Sequence, residues 1–515
     1  MSTTRAAPPA PFPPDLSAAL AAEVRRREPA ALDLLRALIR SPSVTGGEGR
    51  HDDPQSVSGL LWRSLAADPT LGREAQEVAP GRENIIALLR GAPGPTFLLD
   101  AHTDTVPAGD PERWLDADPF SARDGMVTYL GENRLRLDVG PLTIEREIRP
   151  RLGRLWEARS FTTAPVLYGR GAFDNKGPVA VAFLASQALA AALVATGRRL
   201  RGTLVCALVV DEEDGMAGTR ALLEDPSGGE GWLAHHGLLP SAIGEDGFRH
   251  GIWGVALDGS YGFVPVVGHR GVAQILVRTR GQAVHAATPD LGRNAVTRMA
   301  AVLHALDAGR TDLAARLAPF FADDLLDPAS LALGTTIVGG GVSAVRHGPD
   351  GPTVTRGGIN VVPDWCQATI DCRHPRAASD PATIRERIVA AVHAIALERT
   401  GLAAADLTID LLGGSPPCAI LASAAAGPTD PLVGAILRHG EAVSGFAPWV
   451  ETAPGGTDAT VLINEGKIKT LVEFGPAGAL AHEPHEFVER DQIAVGALIL
   501  ARTIAEILGV EPIVS

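Results

Sequence analysis

The sequence predicts an α/β protein: a mixed, largely parallel sheet flanked by helices, interrupted by an inserted ferredoxin-like α+β module. Three observations predict it. Helical patterns alternate with uninterrupted apolar strands through the first half of the chain. Near residue 265 the texture changes to alternating apolar and polar residues, as in half-exposed antiparallel strands. From about 415 longer helices and one buried strand resume, as though rejoining the first sheet. The expected organisation is a flexible Pro/Ala-rich tail at 1–28, a main domain built from 29–265 and 415–515, and an inserted domain at 266–414.

Taken in order, "LSAALAAEVRRREPAALDLLRALIRSPSV" carries helical spacing, with Leu32, Leu35, Leu38 and Ile39 on one stripe and Pro29 suited to a first helical turn. "ENIIALLRG" and "TFLLDAHTD" read as strands, the second an apolar run that ends in charged residues. "GPVAVAFLASQALAAALVATG" reads as a buried helix and "GTLVCALVVDEEDG" as a buried strand ending in acids. Within the inserted domain, "GVAQILVRTRG" (strand), "NAVTRMAAVLHALDAG" (helix), "GTTIVGGGVSAV" and "CQATIDCRH" (strands), "PATIRERIVAAVHAIALERTG" (helix) and "LTIDLLGG" (strand) give a β-α-β-β-α-β order. Stretches 119–165 and 223–255 read as insertions rich in turns and charge, with no role assigned.

Composition sets the bounds. The chain has 515 residues, 45% hydrophobic and 21% charged, ordinary for a globular protein of two or three domains. A net charge of −14 and an aromatic share of 4% argue against nucleic acid and against an anionic membrane surface as partners. Cys206, Cys366, Cys372 and Cys418 are scattered, without a CxxC pair, as expected of reduced thiols in a cytoplasmic protein. "MSTTRAAPPAPFPPDL" lacks the layout of a signal peptide, and no apolar run is expected to reach the roughly 20 residues that span a bilayer.

Polar clusters fall where the apolar segments end: His102 and Asp104 in "DAHTDTVP", Asp174 in "GRGAFDNKG", Glu212 and Glu213 in "VVDEEDG", Asp258 in "VALDGS" and His482 in "GALAHEPHEFV". Open α/β sheets bind ligands at the carboxyl ends of their strands. Two imidazoles among carboxylates suit zinc, and the excess of carboxylates favours two ions over one. A single aspartate can bridge two ions through its two oxygens, which is the expectation for Asp174 on its Gly-rich turn. Taken singly, each residue has a plainer use. Asp174 could cap the helix behind it, Glu212 and Glu213 could be solvated surface, and Glu245 in "AIGEDG" competes with Asp258.

In this order, "HTDTVP", "GRGAFDNKG", "DEEDG", "HRG…VHAATPDLGRNAV", "GGINVVPD…DCR", "GGTDA" and "AHEPHEFV" resemble the cocatalytic zinc hydrolases typified by acetylornithine deacetylase, succinyl-diaminopimelate desuccinylase, aminoacylase, carboxypeptidase G and the carnosinase-like dipeptidases. The resemblance runs from about residue 30 to the C-terminus. It implies a zinc-peptidase-like α/β domain with an inserted lid through which many members form homodimers. It implies two divalent ions, zinc first with cobalt or manganese as substitutes. His102, Asp174 and Asp258 would hold one ion and Asp174, Glu213 and His482 the other. It also implies Glu212 as general base on the bridging water, Asp104 fixing the His102 tautomer, and His285 reaching the partner subunit's site as an oxyanion donor. Asn360 and Arg373 would grip a substrate carboxylate, with a structural ion pair as the other use of Arg373. Gly455, Gly456 and Thr457 would line the substrate pocket.

The reaction so implied is hydrolysis of an amide bond in a small N-acyl amino acid or dipeptide-like substrate. The rivals are a two-metal phosphoesterase and a catalytically inactive scaffold of the same fold. No GxSxG elbow supports a serine hydrolase, and "HEPHE" falls short of HExxH.

Overall fold

A computed structural model describes residues 12–321, 323–340, 342–348, 351–356, 359–376 and 381–513. The chain divides into two compact units. The first comprises 1–267, 419–451 and 457–515, and the second 268–418 and 452–456. The division thus falls at 267/268 and 418/419 and adds a short return segment to the second unit.

In the first unit, a six-stranded sheet runs in the order Gly72–Ala79, Arg82–Arg90, Thr203–Val209, Thr96–His102, Ile252–Ala256, Lys469–Leu471. The first two pairings are antiparallel and the last three parallel. Strands Thr96–His102 and Thr203–Val209 are buried at every position, which is why they read as unbroken apolar runs. On one face Leu98, Val205, Ala207 and Val209 pack with Leu222, Leu233 and Leu462 from three short helices. Helices Pro14–Arg40, Gly177–Ala195 and Gln492–Leu508 pack on one another, and Gly177–Ala195 also packs on the sheet. The four parallel strands all end at one edge of the sheet.

Several expectations need correction here. Residues 1–11 lie outside the described residues, but the chain is already helical from Pro14, so 12–28 is no tail. Leu16, Leu20 and Val24 are buried and carry the apolar stripe of Leu35, Leu38 and Ile39 about five turns further back. Pro29 therefore sits inside a 27-residue helix rather than at its start. Its interior cost of roughly 3 kcal/mol is met by burial on both sides of it. Gly177–Ala195 belongs to a helical stretch that is long and apolar enough to cross a membrane by composition, contrary to expectation. That apolarity has a plainer cause: 78% of its most apolar window is buried inside the fold.

The two supposed insertions build structure. Residues 252–256 of the second are the sheet strand Ile252–Ala256 that leads to Asp258. The first supplies Arg123–Gly131, Arg134–Val139, Leu142–Glu147 and the helix Pro150–Ala158. Its three strands extend a second six-stranded sheet, ordered Gly478–Ala479, Phe487–Glu489, Thr163–Tyr168, Arg123–Gly131, Arg134–Val139, Leu142–Glu147, with every pairing antiparallel.

The second unit holds a four-stranded antiparallel sheet in the order Ser330–Gly339, Trp365–His374, Gly271–Arg280, Leu407–Gly413. Helices Ala295–Ala308 and Pro381–Thr400 belong to it, giving the split β-α-β arrangement expected from the element order. Ile275, Val277 and Ile370 meet Met299, Val302, Ile388 and Val392 in its core. A helix Arg310–Leu317 and a hairpin, Val342–Gly348 with Gly351–Arg356, are added to that plan.

Candidate metal centre

The parallel strands place the site. His102 is the last residue of its strand; Glu212 and Glu213 follow Thr203–Val209, and Asp258 lies two residues past Ile252–Ala256. Asp174 arrives from the other sheet, on the turn between Thr163–Tyr168 and the helix Gly177–Ala195. That turn requires glycine at 171: its φ is +79°, and a Cβ there would come 2.7 Å from Thr105 Cγ2. His482 lies in the loop before Phe487–Glu489, where Leu480, His482 and His485 all have positive φ (65°, 64° and 73°). Non-glycine residues pay for that conformation, and such clusters are typical of functional loops.

Two groups of three potential ligands result, His102 with Asp174 and Asp258, and Asp174 with Glu213 and His482. His102 Nε2 is 3.2 Å from Asp174 Oδ1 and 4.0 Å from Asp258 Oδ1. His482 Nε2 is 3.2 Å from both Asp174 Oδ2 and Glu213 Oε2. Asp174 thus turns one carboxylate oxygen to each imidazole. Glu245, the rival of Asp258, is exposed on a turn and belongs to neither group.

The electrostatics suit cations. Burial opposes charge on His102, but the surrounding carboxylates of Asp104, Asp174, Glu212 and Asp258 hold it well above the usual histidine range. Asp174 and Glu213 raise His482 to about 10. Desolvation opposes charge on the half-buried Asp174, yet the two imidazoles hold it well below the usual carboxylate range. Burial, with negative neighbours, pushes Asp258 and Glu212 well up. The donor set fits divalent ions on a further count: His102 Nε2 and Glu213 Oε1 are buried and make no hydrogen bond, a costly state for polar atoms unless an ion takes their lone pairs.

Asp104 is more deeply engaged than expected. His102 Nδ1 lies 3.2 Å from the Asp104 carbonyl oxygen and 3.4 Å from its Oδ1. Donation from Nδ1–H would leave Nε2, the nitrogen on the Asp174 side, to ligate an ion. The carboxylate also accepts from the backbone amides of Glu212 (3.1 Å) and Glu213 (3.2 Å) and from Thr45 Oγ1 (2.9 Å). One buried aspartate therefore orients a histidine and both glutamates.

The remaining candidates stand as follows. His285 is exposed in the second unit, where its Nδ1 accepts from the Ala287 amide at 3.0 Å. Asn360 is exposed in the same unit and its carbonyl accepts from the Ala286 amide. Arg373 pairs with Asp371 at 2.7 Å, the structural ion pair named as its other use. Thr457 spends its hydroxyl on the Val472 carbonyl. A Cβ at Gly455 would meet nothing within 4 Å, so a tight backbone does not explain that glycine.

Sequence reasoning missed Asp458, Glu473 and Glu486. Asp458 is buried with neither carboxylate oxygen hydrogen-bonded, and burial pushes it up to about 6. Glu473, two residues past Lys469–Leu471, is pushed up to about 7 by burial, with Asp174 adding and Arg149 and Arg151 opposing. Its position beyond a fourth parallel strand end was a readable signal. Glu486 lies in "HEPHEFV" and is fully buried.

A parallel-stranded sheet with a doubly shared aspartate at its carboxyl edge defines a class, the metal-dependent hydrolases with two adjacent cation sites. The chain belongs to peptidase family M20/M25/M40, whose family model matches residues 150–506. It is similar to succinyl-diaminopimelate desuccinylase of Bordetella avium, 27% identical over 482 residues, which cover 93% of this chain and 99% of that protein. Its fold is similar to human carnosine dipeptidase 1 (TM-score 0.58, 17% identity, covering 97% and 100% of the two chains). It is also similar to a dinuclear metal-binding M20 peptidase of Bacillus subtilis (TM-score 0.52, 13% identity, covering 94% and 99%). The protein is a metal-binding hydrolase of amide bonds, and the phosphoesterase and inactive-scaffold readings are not favoured.

Proposed function

We propose that the protein hydrolyses the amide bond of a small N-acyl amino acid or dipeptide-like substrate with two zinc ions, Asp174 bridging them. In this reading His102 and Asp258 complete one site, and Glu213 and His482 the other. The observation that carries it is the Asp174 carboxylate, 3.2 Å from an imidazole through each of its oxygens. Bound there, two divalent ions would supply Lewis acidity to a carbonyl and lower the pKa of a water toward about 7.

Glu212 takes the proton from the attacking water and returns it to the amide nitrogen as the C–N bond breaks. Its burial among carboxylates keeps it a strong enough base for that task. Asp104 holds the Glu212 and Glu213 backbone while this happens. Nitrogen and carboxylate donors favour zinc, with cobalt or manganese as working substitutes.

We further infer a homodimer through the second unit, with His285 contributing to the partner's site. The edge strand Ser330–Gly339, on which Ile337 is 56% exposed, supports such a contact. Asn360 and the Gly455–Gly456 backbone are candidate substrate contacts; Arg373 reaches a substrate carboxylate only by giving up Asp371. Four unpaired, buried cysteines fit a reducing compartment, and we assign the enzyme to the cytoplasm.

The test is a panel of N-succinyl, N-acetyl and N-carbamoyl amino acids with dipeptides, offered to zinc- and cobalt-loaded protein. Turnover of one amide class that chelation abolishes is expected, with two zinc ions per chain by elemental analysis. Two bound ions without turnover of any amide would refute the reading.

A further inference from the structure

We propose that Glu486 is the positioning residue of the metal centre, a buried latch that holds the Asp174 turn against the His482 loop so that both ligands face the same ion. The inference rests on the two-ion reading above. Glu486 is fully buried. Its Oε1 accepts from the Phe173 and Asp174 amides, both at 2.9 Å. Its Oε2 accepts from the Gly171 amide at 3.0 Å and pairs with Arg170 Nη1. Its carbonyl accepts from the Gly169 amide at 2.9 Å.

One side chain thus satisfies three of the four amide donors at 171–174, the turn that carries the bridging aspartate, including the amide of Asp174 itself. The same residue closes the loop that carries His482, four residues earlier. That loop has three non-glycine residues at positive φ and so needs an anchor to keep its shape. Arg170 strengthens the join from the other side, reaching the Glu483 carbonyl at 3.4 Å and lying over the Trp114 ring. Tyr168 Oη, 3.1 Å from His485 Nδ1, adds a second tie between the same two segments.

All four positions around the carboxylate are donors, so the geometry demands a carboxylate and not its amide. Glu486→Gln would set an NH2 group against two of those donors, whichever way it turns. Partners of this kind typically change metal affinity by about 10–100-fold. The turn and loop meet at the ion shared by Asp174, Glu213 and His482, so the loss should fall mainly on that ion.

The test is a titration of metal-free protein with Co²⁺ alone, followed by calorimetry and by the visible absorption of bound cobalt, on wild type, Glu486→Gln and Glu486→Asp. Unfolding of the metal-free forms is measured alongside. Wild type should take up two ions. Glu486→Gln should bind the second about 10–100-fold more weakly, with altered cobalt bands and a nearly normal first site. Glu486→Asp, which keeps the charge but shortens the reach, should fall between them; should the glutamine variant not fold, the aspartate variant decides. Two ions bound by the folded variants within roughly twofold of wild-type affinity would overturn the latch while leaving the two-ion centre standing. Fewer than two ions in wild type would overturn the two-ion reading and the latch with it.

Discussion

Replacing Asp104 by Asn removes one charge and almost no volume, yet the structure makes it an expensive change. The carboxylate is fully buried and accepts from the Glu212 amide on Oδ1 and from the Glu213 amide and Thr45 Oγ1 on Oδ2. An asparagine must place its NH2 at one of these positions. Facing Glu212 it opposes a backbone N–H; facing Glu213 it opposes another, although Thr45 can rotate and accept. In either pose at least one buried amide loses its acceptor, a cost of about 1–3 kcal/mol. The glutamates themselves would shift with their backbone. Metal affinity should therefore fall by about 10–100-fold, which is roughly 1.4–2.7 kcal/mol. Urea unfolding of the metal-free protein reads the first loss and cobalt titration the second. Thr45→Val, which removes one neutral donor, is the control and should cost about 0.5–1.5 kcal/mol with metal binding intact. An Asp104→Asn protein with wild-type stability and cobalt affinity would refute the claim that this side chain organises the site.

Glu212→Gln should lower turnover by about 10²–10⁴-fold with both metals retained, and metal analysis beside steady-state rates checks both halves. Glu213→Gln should instead weaken one metal site, with activity partly restored by excess zinc; swapped phenotypes would reverse the two roles. Asp174→Ala should lose both ions, and retention of both by elemental analysis would remove it as the bridge. His285→Ala and Glu212→Gln subunits, each inactive alone, should regain partial activity when mixed and exchanged. No recovery despite proven exchange would rule out the shared site.

Much of the site was legible because its chemistry interrupts apolar runs. His102 ends a strand buried at every position, and Glu212, Glu213 and Asp258 follow others, so charged letters appear where buried strands must surface. Asp174 was legible from its glycines. What the sequence concealed depends on distant partners. Nothing local says that Asp104 holds residues more than a hundred positions away, or that Glu486 accepts from the 171–174 turn. The first helix begins well before Pro29, because Leu16, Leu20 and Val24 bury one face on its N-terminal side and carry the helix through that proline. The segment 119–165 does carry a local strand signal beneath its turns and charge. In "RLRLDV", Leu135, Leu137 and Val139 are buried and the residues between them more exposed, the period-two pattern of a strand covered on one face.

That segment also limits how the enzyme can be remodelled. Strand Thr163–Tyr168, which launches the Asp174 turn, is paired with Arg123–Gly131 on one side and with Phe487–Glu489, next to Glu486, on the other. A protein engineer who trimmed 119–162 as decoration would leave that strand with an open edge, able to pair with another copy of itself. The outer hairpin is better treated as a handle. Its far strand Leu142–Glu147 is mostly exposed and has a single neighbour in the sheet, so tags, labels or charge changes placed there leave the inner pairings alone.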